Sequence, residues 1–264
     1  MDSNDVSRFF PTEACLRATV NSIRTTHVTK SKEKVKSTKD LVLSDDMNTI
    51  SLNGQKYAFL QYDNESKNKN RILIYFSQEA GKILKIISEL ALDGTFKYSP
   101  KIFYQIFTLI AIYKSQALPV VFFLLENKNY NTYIEALEKL VNILYIKYKI
   151  PLKINLVMSD FELAMQQAIR QAFGSEDHVV EIKGCWFHFC QAILRKVNEI
   201  GLKISYQNSY QFRFWIKRFM ALALIPIDKL KDGINIIKRE KDGSKPQHDF
   251  TMILLIQTVN TFLT

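Results

Sequence analysis

Residues 152–202 decide the fold of this chain, and their sequence is LKINLVMSDF ELAMQQAIRQ AFGSEDHVVE IKGCWFHFCQ AILRKVNEIG L. A short β-rich run, Lys153–Met158, ends in an acidic turn at Ser159–Glu162, and a helical pattern of apolar residues follows. A second β-like run, Val179–Ile182, leads into a Cys-x-x-His motif and a further amphipathic helix. The stretch therefore predicts strand, acidic turn, helix, strand, Cys-x-x-His, helix. An aspartate at a strand end, where a helix begins, is a common place to hold a cation.

The composition is compatible with a nucleic-acid partner. The chain has 264 residues, 47% of them hydrophobic, which is enough for the core of one large domain. Its formal net charge of +10 fits DNA or RNA, although AT-rich coding sequence favours such a Lys-, Asn- and Ile-rich mix regardless of function. Three cysteines are too few for a disulfide framework, so we expect a nuclear or cytoplasmic protein. No uncharged apolar run reaches transmembrane length, so no membrane partner is expected, and oligomerisation is left open.

Residues 1–48 predict a basic, linker-like segment. Lysines crowd the stretch from Lys30 to Lys39, with only Glu33 against them. A charge run of this kind is typical of a solvated helix or arm. The alternative is a nuclear-targeting or phosphate-contacting role.

Residues 49–87 predict a small β-rich addition packed before the main sheet. Thr49–Leu52 and Lys56–Tyr62 flank Asn53-Gly54, a dipeptide that favours a hairpin with a type I′ turn. Arg71–Phe76 is expected to be a further strand of this addition.

Residues 88–205 predict the core, an α/β domain with the element order β-β-β-α-β-α-β-α. The first three strands are expected to form an antiparallel meander, and the later strands to be added parallel through crossovers. Residues 206–264 predict a helical extension, with helices over Tyr206–Leu224 and Ile227–Arg239. Asp249–Leu263 fits either a last helix or a strand.

Two acids, Asp93 and Asp160, lie at the ends of central β-type runs. In a strand order that brings the first and fourth core strands side by side, both would meet at one sheet edge. Paired carboxylates at such an edge can bind Mg²⁺ or Mn²⁺, which prefer oxygen ligands. Two such metal ions can activate water or a 3′-hydroxyl in phosphodiester chemistry.

Both acids have a simpler interpretation. Ser159 and Glu162 have the spacing of a helix capping box, in which Asp160 would lie in the first helical turn beside the positive helix end. Asp93-Gly94 is a common turn dipeptide. On spacing alone, an acid at the start of a helix usually stabilises that helix by capping it, rather than binding a metal ion.

Cys185 and His188 have the spacing of metal ligands, but one such pair is half a zinc site. Cys190 and His178 are the only local candidates for the second half. We favour instead a buried, small apolar Cys185 and a His188 that lines a pocket or bonds a neighbour.

Ordered sequence blocks resemble the Mutator-like element (MULE) transposases. Leu92-Asp93-Gly94-Thr95-Phe96-Lys97, followed by Pro100 and Gln105, is similar to the first-aspartate block of that family, and Ser159-Asp160-Phe161-Glu162-x-Ala164 to the second. Gly184-Cys185-x-Phe187-His188-Phe189-x-Gln191-Ala192 resembles its Cys-x-x-His block. The similarity extends over residues 57–230, which makes it more specific than any single motif.

This resemblance implies an RNase H-like fold with an Asp-Asp-Glu metal triad that cuts and joins DNA at transposon ends. Asp93 and Asp160 would be the first two catalytic, metal-binding acids, with Mg²⁺ or Mn²⁺ as cofactor. Cys185 and His188 would shape the site or contact DNA near the cut.

The third acid is not identified, because the family's glutamate follows a later helical insertion. Glu199 lies too early in the chain, and Glu240 lies in a polar loop without the family's context. We therefore expect a truncated, inactive relative with both flanks lost. A metal nuclease that recruits Glu162 or Glu240 is a weaker option.

A second class of function stays open: a non-catalytic, domesticated module that binds DNA or another protein. The positive net charge and the missing third acid both favour it.

Overall fold

The computed structural model describes residues 35–65 and 70–239. The lysine-rich residues before Val35, Glu240 and the last expected element, Asp249–Leu263, lie outside the described residues. The chain divides into two compact units: Met1–Val157 with Leu163–Glu181, and Met158–Glu162 with Ile182–Thr264.

The described residues form nine β-strands and eight α-helices. The strands are β1 (Thr49–Leu52), β2 (Gln55–Ala58), β3 (Leu60–Asp63), β4 (Ile72–Tyr75), β5 (Glu89–Thr95), β6 (Gln105–Tyr113), β7 (Gln116–Leu125), β8 (Leu156–Ser159) and β9 (Glu181–Gly184). The helices are α1 (Asp45–Asn48), α2 (Gln78–Leu84), α3 (Tyr130–Tyr148), α4 (Leu163–Phe173), α5 (Trp186–Glu199), α6 (Lys203–Asn208), α7 (Tyr210–Ala221) and α8 (Leu230–Arg239). From β5 to α5 the order is β-β-β-α-β-α-β-α, which confirms the predicted sequence of core elements.

The main sheet is mixed and seven-stranded, in the order β3-β4-β7-β6-β5-β8-β9. Strands β5, β6 and β7 pair antiparallel in succession, so the predicted meander is confirmed. The fourth core strand, β8, is next to the first, β5, as the sequence argument required. The amides of Asn155 and Leu156 both donate to the Ser88 carbonyl at the start of this pairing. The chain therefore has a mixed α/β fold in which helices flank the sheet.

Two local irregularities follow from the residues of β6 and β7. The β6–β7 register shifts between Leu109 and Ile110, opposite the stretch that contains Pro119. Proline has no amide hydrogen to donate, and a bulge tolerates it in an otherwise central strand. The turn between the strands has positive φ at Lys114 (47°) and Ser115 (62°), so the hairpin closes without glycine at some backbone cost.

The core of the first unit lies between the sheet and α3. Ring contacts join Phe107 to Phe123 at 5.4 Å and to Tyr133 of α3 at 5.2 Å. All three side chains are fully buried. Burial of rings of this size contributes about 1.5–3 kcal/mol each. These contacts pack α3 against β6 and β7, and β6 in turn pairs with β5, the strand that contains Asp93.

The structure differs from the sequence expectation at Arg71–Phe76. The β1–β2 hairpin is a separate two-stranded sheet, and φ of 51° at Asn53 and 79° at Gly54 confirms the predicted primed turn. Strands β3 and β4, however, extend the main sheet, because β4 pairs antiparallel with β7. Strand β4 is almost wholly buried, and such a strand needs a partner on the sheet rather than a place in a solvated hairpin.

Up to Arg239, where the described residues end, the second unit is helical apart from its short β segments. Phe189, Ile193 and Val197 of α5 belong to a buried cluster with side chains of α7 and α8, including Trp215 and Phe219. The helix expected over Tyr206–Leu224 is broken, because α6 ends at Asn208 and α7 starts at Tyr210. Ser209 Oγ accepts a hydrogen bond from the Phe212 amide and so caps the new helix. No helix in the described ranges is long and apolar enough to cross a membrane.

Candidate functional site

The first acid, Asp93, lies within β5 and is paired across the sheet with Thr108 of β6. Its side chain is half-buried, and Thr95 Oγ1 donates to Asp93 Oδ2 at 3.3 Å. The alternative in which Asp93-Gly94 forms a turn is wrong, because both residues are in the strand. The carboxylate is therefore presented from a rigid strand of the sheet.

Gly94 is needed for close approach rather than for a special backbone conformation. A Cβ at this position would lie 2.7 Å from Gln105 Oε1 and 3.3 Å from the Phe96 ring. Gln105 is fully buried, and its Nε2 donates to the Tyr133 hydroxyl at 2.9 Å and to the Asn127 carbonyl at 3.3 Å. Its Oε1 is buried with no hydrogen-bond partner among the described residues. The Gln105 side chain thus occupies the space beside Gly94, the residue that follows the first acid.

The second acid, Asp160, directly follows β8 and belongs to the second unit. Its Oδ1 accepts a hydrogen bond from the Glu162 amide at 3.0 Å, and Ser159 Oγ donates to the Asp160 carbonyl. Helix α4 begins only at Leu163. The capping-box alternative is therefore wrong: Ser159 is the fully buried last residue of a strand, and Asp160 forms its own short turn ahead of the helix.

An aromatic residue and a glycine support the turn that carries Asp160. A Cβ on Gly184 would overlap the ring of Phe161, so the ring rests directly on the β9 backbone. Phe161 also packs against the buried helical cluster of the second unit. The Cys185 amide donates to the Ser159 carbonyl at 2.7 Å. The second acid is thus positioned by a nonpolar contact and a backbone bond.

Cys185 and His188 lie at the start of α5, where Cys185 is the residue before the first helical turn. Both side chains are half-buried, and the His188 ring contacts Phe187 edge-on at 5.6 Å. Burial, and next the nearby Cys185, raise the pKa of the Cys190 thiol. A raised pKa lowers the fraction of the thiolate, which is the form that reacts and binds metal ions.

The described residues contain no group of three or more His, Cys, Asp or Glu side chains that could hold a metal ion. Asp93 belongs to the first unit and Asp160 to the second. Among the other acids considered, Glu199 pairs with Lys196 at 3.1 Å on the exposed end of α5. Glu162 is half-buried, beside Asp160 in the chain.

Sequence reasoning missed a group of aromatic residues next to Asp93. Phe96, Tyr98 and Tyr104 are exposed large side chains in and beside the β5–β6 loop. The signal that could have found them is their alternation with Lys97 and Lys101 in a stretch without acids.

Comparison with known proteins gives one family match. Residues 89–192 match the model of the MULE transposase domain. A search of curated proteins found no match. The matched range contains both aspartates, the Cys185/His188 pair and most of the elements from β5 to α5. The match suggests a transposase-like function. Of the resemblance inferred over residues 57–230, it confirms the part over residues 89–192, which match the MULE transposase domain.

Proposed function

We propose that the chain contains an RNase H-like transposase core that binds DNA and uses Asp93 and Asp160 to hold Mg²⁺ or Mn²⁺. The observation that carries the proposal is the family match, which spans both aspartate blocks in one continuous range. The strand order supports it, because an antiparallel meander is followed by a fourth strand next to the first. Each acid is at or near the end of one of these two strands.

The chemistry of both acids suits a hard divalent cation. Carboxylate oxygens are hard ligands of the kind that Mg²⁺ and Mn²⁺ prefer. Both side chains are half-buried, which leaves them accessible to a ligand. Bound metal would supply Lewis-acid activation of a phosphodiester. The two aspartates would orient it, and Cys185 and His188 would shape the surroundings or contact DNA.

We further propose that this chain alone performs little or no strand transfer. No third acid is assigned, and the described residues hold no cluster of three metal-ligating side chains. Two carboxylates hold a metal pair poorly, because Mg²⁺ takes about six oxygen ligands. Glu162 remains the candidate within the described residues, and Glu240 lies outside them.

The proposal is tested by metal-dependent DNA binding. We expect the full chain to bind duplex DNA at low salt, and Mn²⁺ to strengthen that binding several-fold through the two acids. Asp93→Asn with Asp160→Asn should remove the Mn²⁺ increment and keep the salt-sensitive part. Glu138→Gln, on α3 outside the candidate site, is the matched control. Absence of DNA binding at low salt overturns the proposal, and robust metal-dependent cleavage abolished by Asp160→Ala overturns the proposed inactivity.

A non-catalytic DNA-binding or protein-interaction module is the second candidate. The net charge of +10 and the absence of a three-ligand cluster in the described part of the chain favour it. Salt-sensitive duplex binding that is unchanged by Mn²⁺ and by both Asp→Ala substitutions would identify this module instead.

A further inference from the structure

The segment from Gly94 to Leu125 contains no aspartate or glutamate, although the chain has 26 of them. Its charged residues are Lys97, Lys101 and Lys114. Two of these lysines lie in the loop that follows β5, directly after the strand that carries Asp93. Lys97 and Lys101 therefore give this loop two positive charges and no negative one, which favours an anionic ligand.

This loop holds three large aromatic side chains toward solvent. The exposed fractions are 46% for Phe96, 55% for Tyr98 and 49% for Tyr104. Phe96 and Tyr104 contact each other edge-on with ring centroids 5.5 Å apart, and Lys97 Nζ lies 5.7 Å from the centre of the Tyr98 ring. We call these three aromatics, with Lys97 and Lys101, the aromatic loop. Single exposed apolar residues are ordinary, but three exposed rings in one short loop, two of them in contact, suggest a binding surface.

The aromatic loop is held in place by its own hydrogen bonds. The Ser99 amide donates to the Phe96 carbonyl at 3.2 Å, Ser99 Oγ donates to the Phe103 carbonyl at 3.0 Å, and the Phe103 amide donates to the Pro100 carbonyl at 2.8 Å. Phe103 is buried, and the Tyr104 amide donates to the Leu125 carbonyl at 2.9 Å. The rings are therefore presented on a preorganised loop, which lowers the entropy lost when a ligand binds.

We propose that the aromatic loop stacks unpaired bases of a DNA strand, while Lys97 and Lys101 contact its phosphates. Aromatic rings interleaved with basic side chains are the general means by which proteins bind unpaired bases, since every base has a face to stack. A protein partner could also contact the rings. The loop contains two lysines and no acid, however, and this charge favours a polyanion. The inference rests on the proposed function and deepens it, because it assigns unpaired nucleotides to the region beside Asp93.

The test compares a duplex with the same duplex carrying a single-stranded tail. The full chain is titrated with both at one fixed salt concentration, and the tail carries 2-aminopurine, whose fluorescence falls on stacking. We expect tighter binding to the tailed DNA. Tyr98→Ala with Tyr104→Ala should weaken tail binding about 5- to 100-fold and change duplex binding little. The fluorescence quenching of 2-aminopurine should be lost in the same double variant.

Three further variants make the result specific. Tyr98→Phe with Tyr104→Phe keeps the rings and should retain tail binding, which excludes a role for the hydroxyls. Tyr145→Ala removes a tyrosine that is 64% exposed on α3 of the same unit and should have no effect. Lys97→Gln with Lys101→Gln should make the slope of log K against log salt concentration shallower, by the amount expected for the loss of about two phosphate contacts.

The outcomes separate this inference from the proposed function. DNA binding with equal tail affinity in the wild type and the double alanine variant overturns the stacking role and leaves the proposed function standing. Equal losses on tail and duplex also overturn stacking. Absence of binding to either DNA at low salt overturns both. Circular dichroism and thermal melts of each variant establish that a loss of binding is not a loss of folding.

Discussion

The two units of this chain bury different kinds of groups. Within the described residues, the buried polar side chains of the first unit are Thr38, Arg71, Gln105 and Thr132, while the second unit buries only Ser159. The core of the second unit is instead a nonpolar cluster of helices. Each acid shows the same contrast, because Gln105 fills the space at Gly94 and Phe161 fills the space at Gly184. The side chain beside the first acid thus makes directional hydrogen bonds of its own, whereas the ring beside the second makes nonpolar contact, in addition to the backbone hydrogen bond from Cys185 to Ser159.

The largest expected effect is the loss of the buried cation of the first unit. Arg71 pairs with Asp63 at 2.6 Å and donates to the carbonyls of Thr38 and Leu41. Arg71→Ala leaves Asp63 buried without this partner, so we expect a loss of about 3–5 kcal/mol in the free energy of unfolding. Urea unfolding followed by far-UV circular dichroism measures it.

Lys82→Ala is the matched control for Arg71→Ala. Lys82 makes an exposed pair with Glu79 on α2, and such pairs contribute about 0–1 kcal/mol. Equal losses in the two variants would contradict the importance assigned to the buried pair. Both tryptophans, Trp186 and Trp215, are in the second unit, so their fluorescence reports that unit separately.

The next effect tests nonpolar support at the second acid. Gly184→Ala places a methyl group in the space of the Phe161 ring, and we expect a loss of about 1–3 kcal/mol by overpacking. Phe161→Leu should relieve most of this penalty, so the double variant should show a coupling of at least about 0.5 kcal/mol. Tryptophan fluorescence during urea unfolding of the wild type, the two single variants and the double variant measures this coupling. Gly201→Ala is unsuitable as a control because its φ is 78°, and Ser205→Ala on α6 serves instead. Strictly additive losses would show that the ring does not rest on Gly184.

Removing the polar side chain beside the first acid should lower the free energy of unfolding by a smaller amount. Gln105→Leu removes the hydrogen bonds from Nε2 to the Tyr133 hydroxyl and to the Asn127 carbonyl but keeps much of the buried volume. We expect a loss of about 1–2 kcal/mol in the free energy of unfolding, since the Tyr133 hydroxyl loses a donor. Combining it with Tyr133→Phe should cost less than the sum of the two, because both partners are then apolar. Urea unfolding of the four proteins checks this, and an additive result would contradict it.

The last effect is absent at neutral pH and appears only in alkaline solution. Burial, followed by the charge of Asp63, raises the pKa of Tyr75 to about 12, while Arg71 lowers it. In the unfolded chain the pKa of tyrosine is about 10. The raised pKa therefore contributes stability below pH 10 that is lost as pH rises from about 10 to 12. Tyr75→Phe keeps the contact with Phe59, whose ring centroid lies 5.5 Å away, and should show a shallower fall over this range. Parallel stability curves for both proteins would contradict the assignment.

The element order of the core was predictable because apolar periodicity is local. Runs of β-branched residues and helical spacings specify β5 to α5 without any knowledge of partners. The membership of β4 in the main sheet was not predictable, because a hairpin and an edge extension have the same local pattern and differ only in pairing with β7. The same reason explains the mistaken capping box at Ser159: its spacing is correct, but burial at the end of β8 takes the residue out of the helix.

The sequence by itself determined the core elements from β5 to α5, the positive charge and the family blocks around Asp93, Asp160 and Cys185, because each depends on residues close together in the chain or on composition. Only the tertiary structure decided which side chain packs against the backbone near each acid. Gln105 reaches Gly94 because β6 pairs with β5, and Phe161 reaches Gly184 because β9 follows β8 in the sheet. Such contacts join residues that are distant in sequence, and sheet pairing and packing select them rather than local preference.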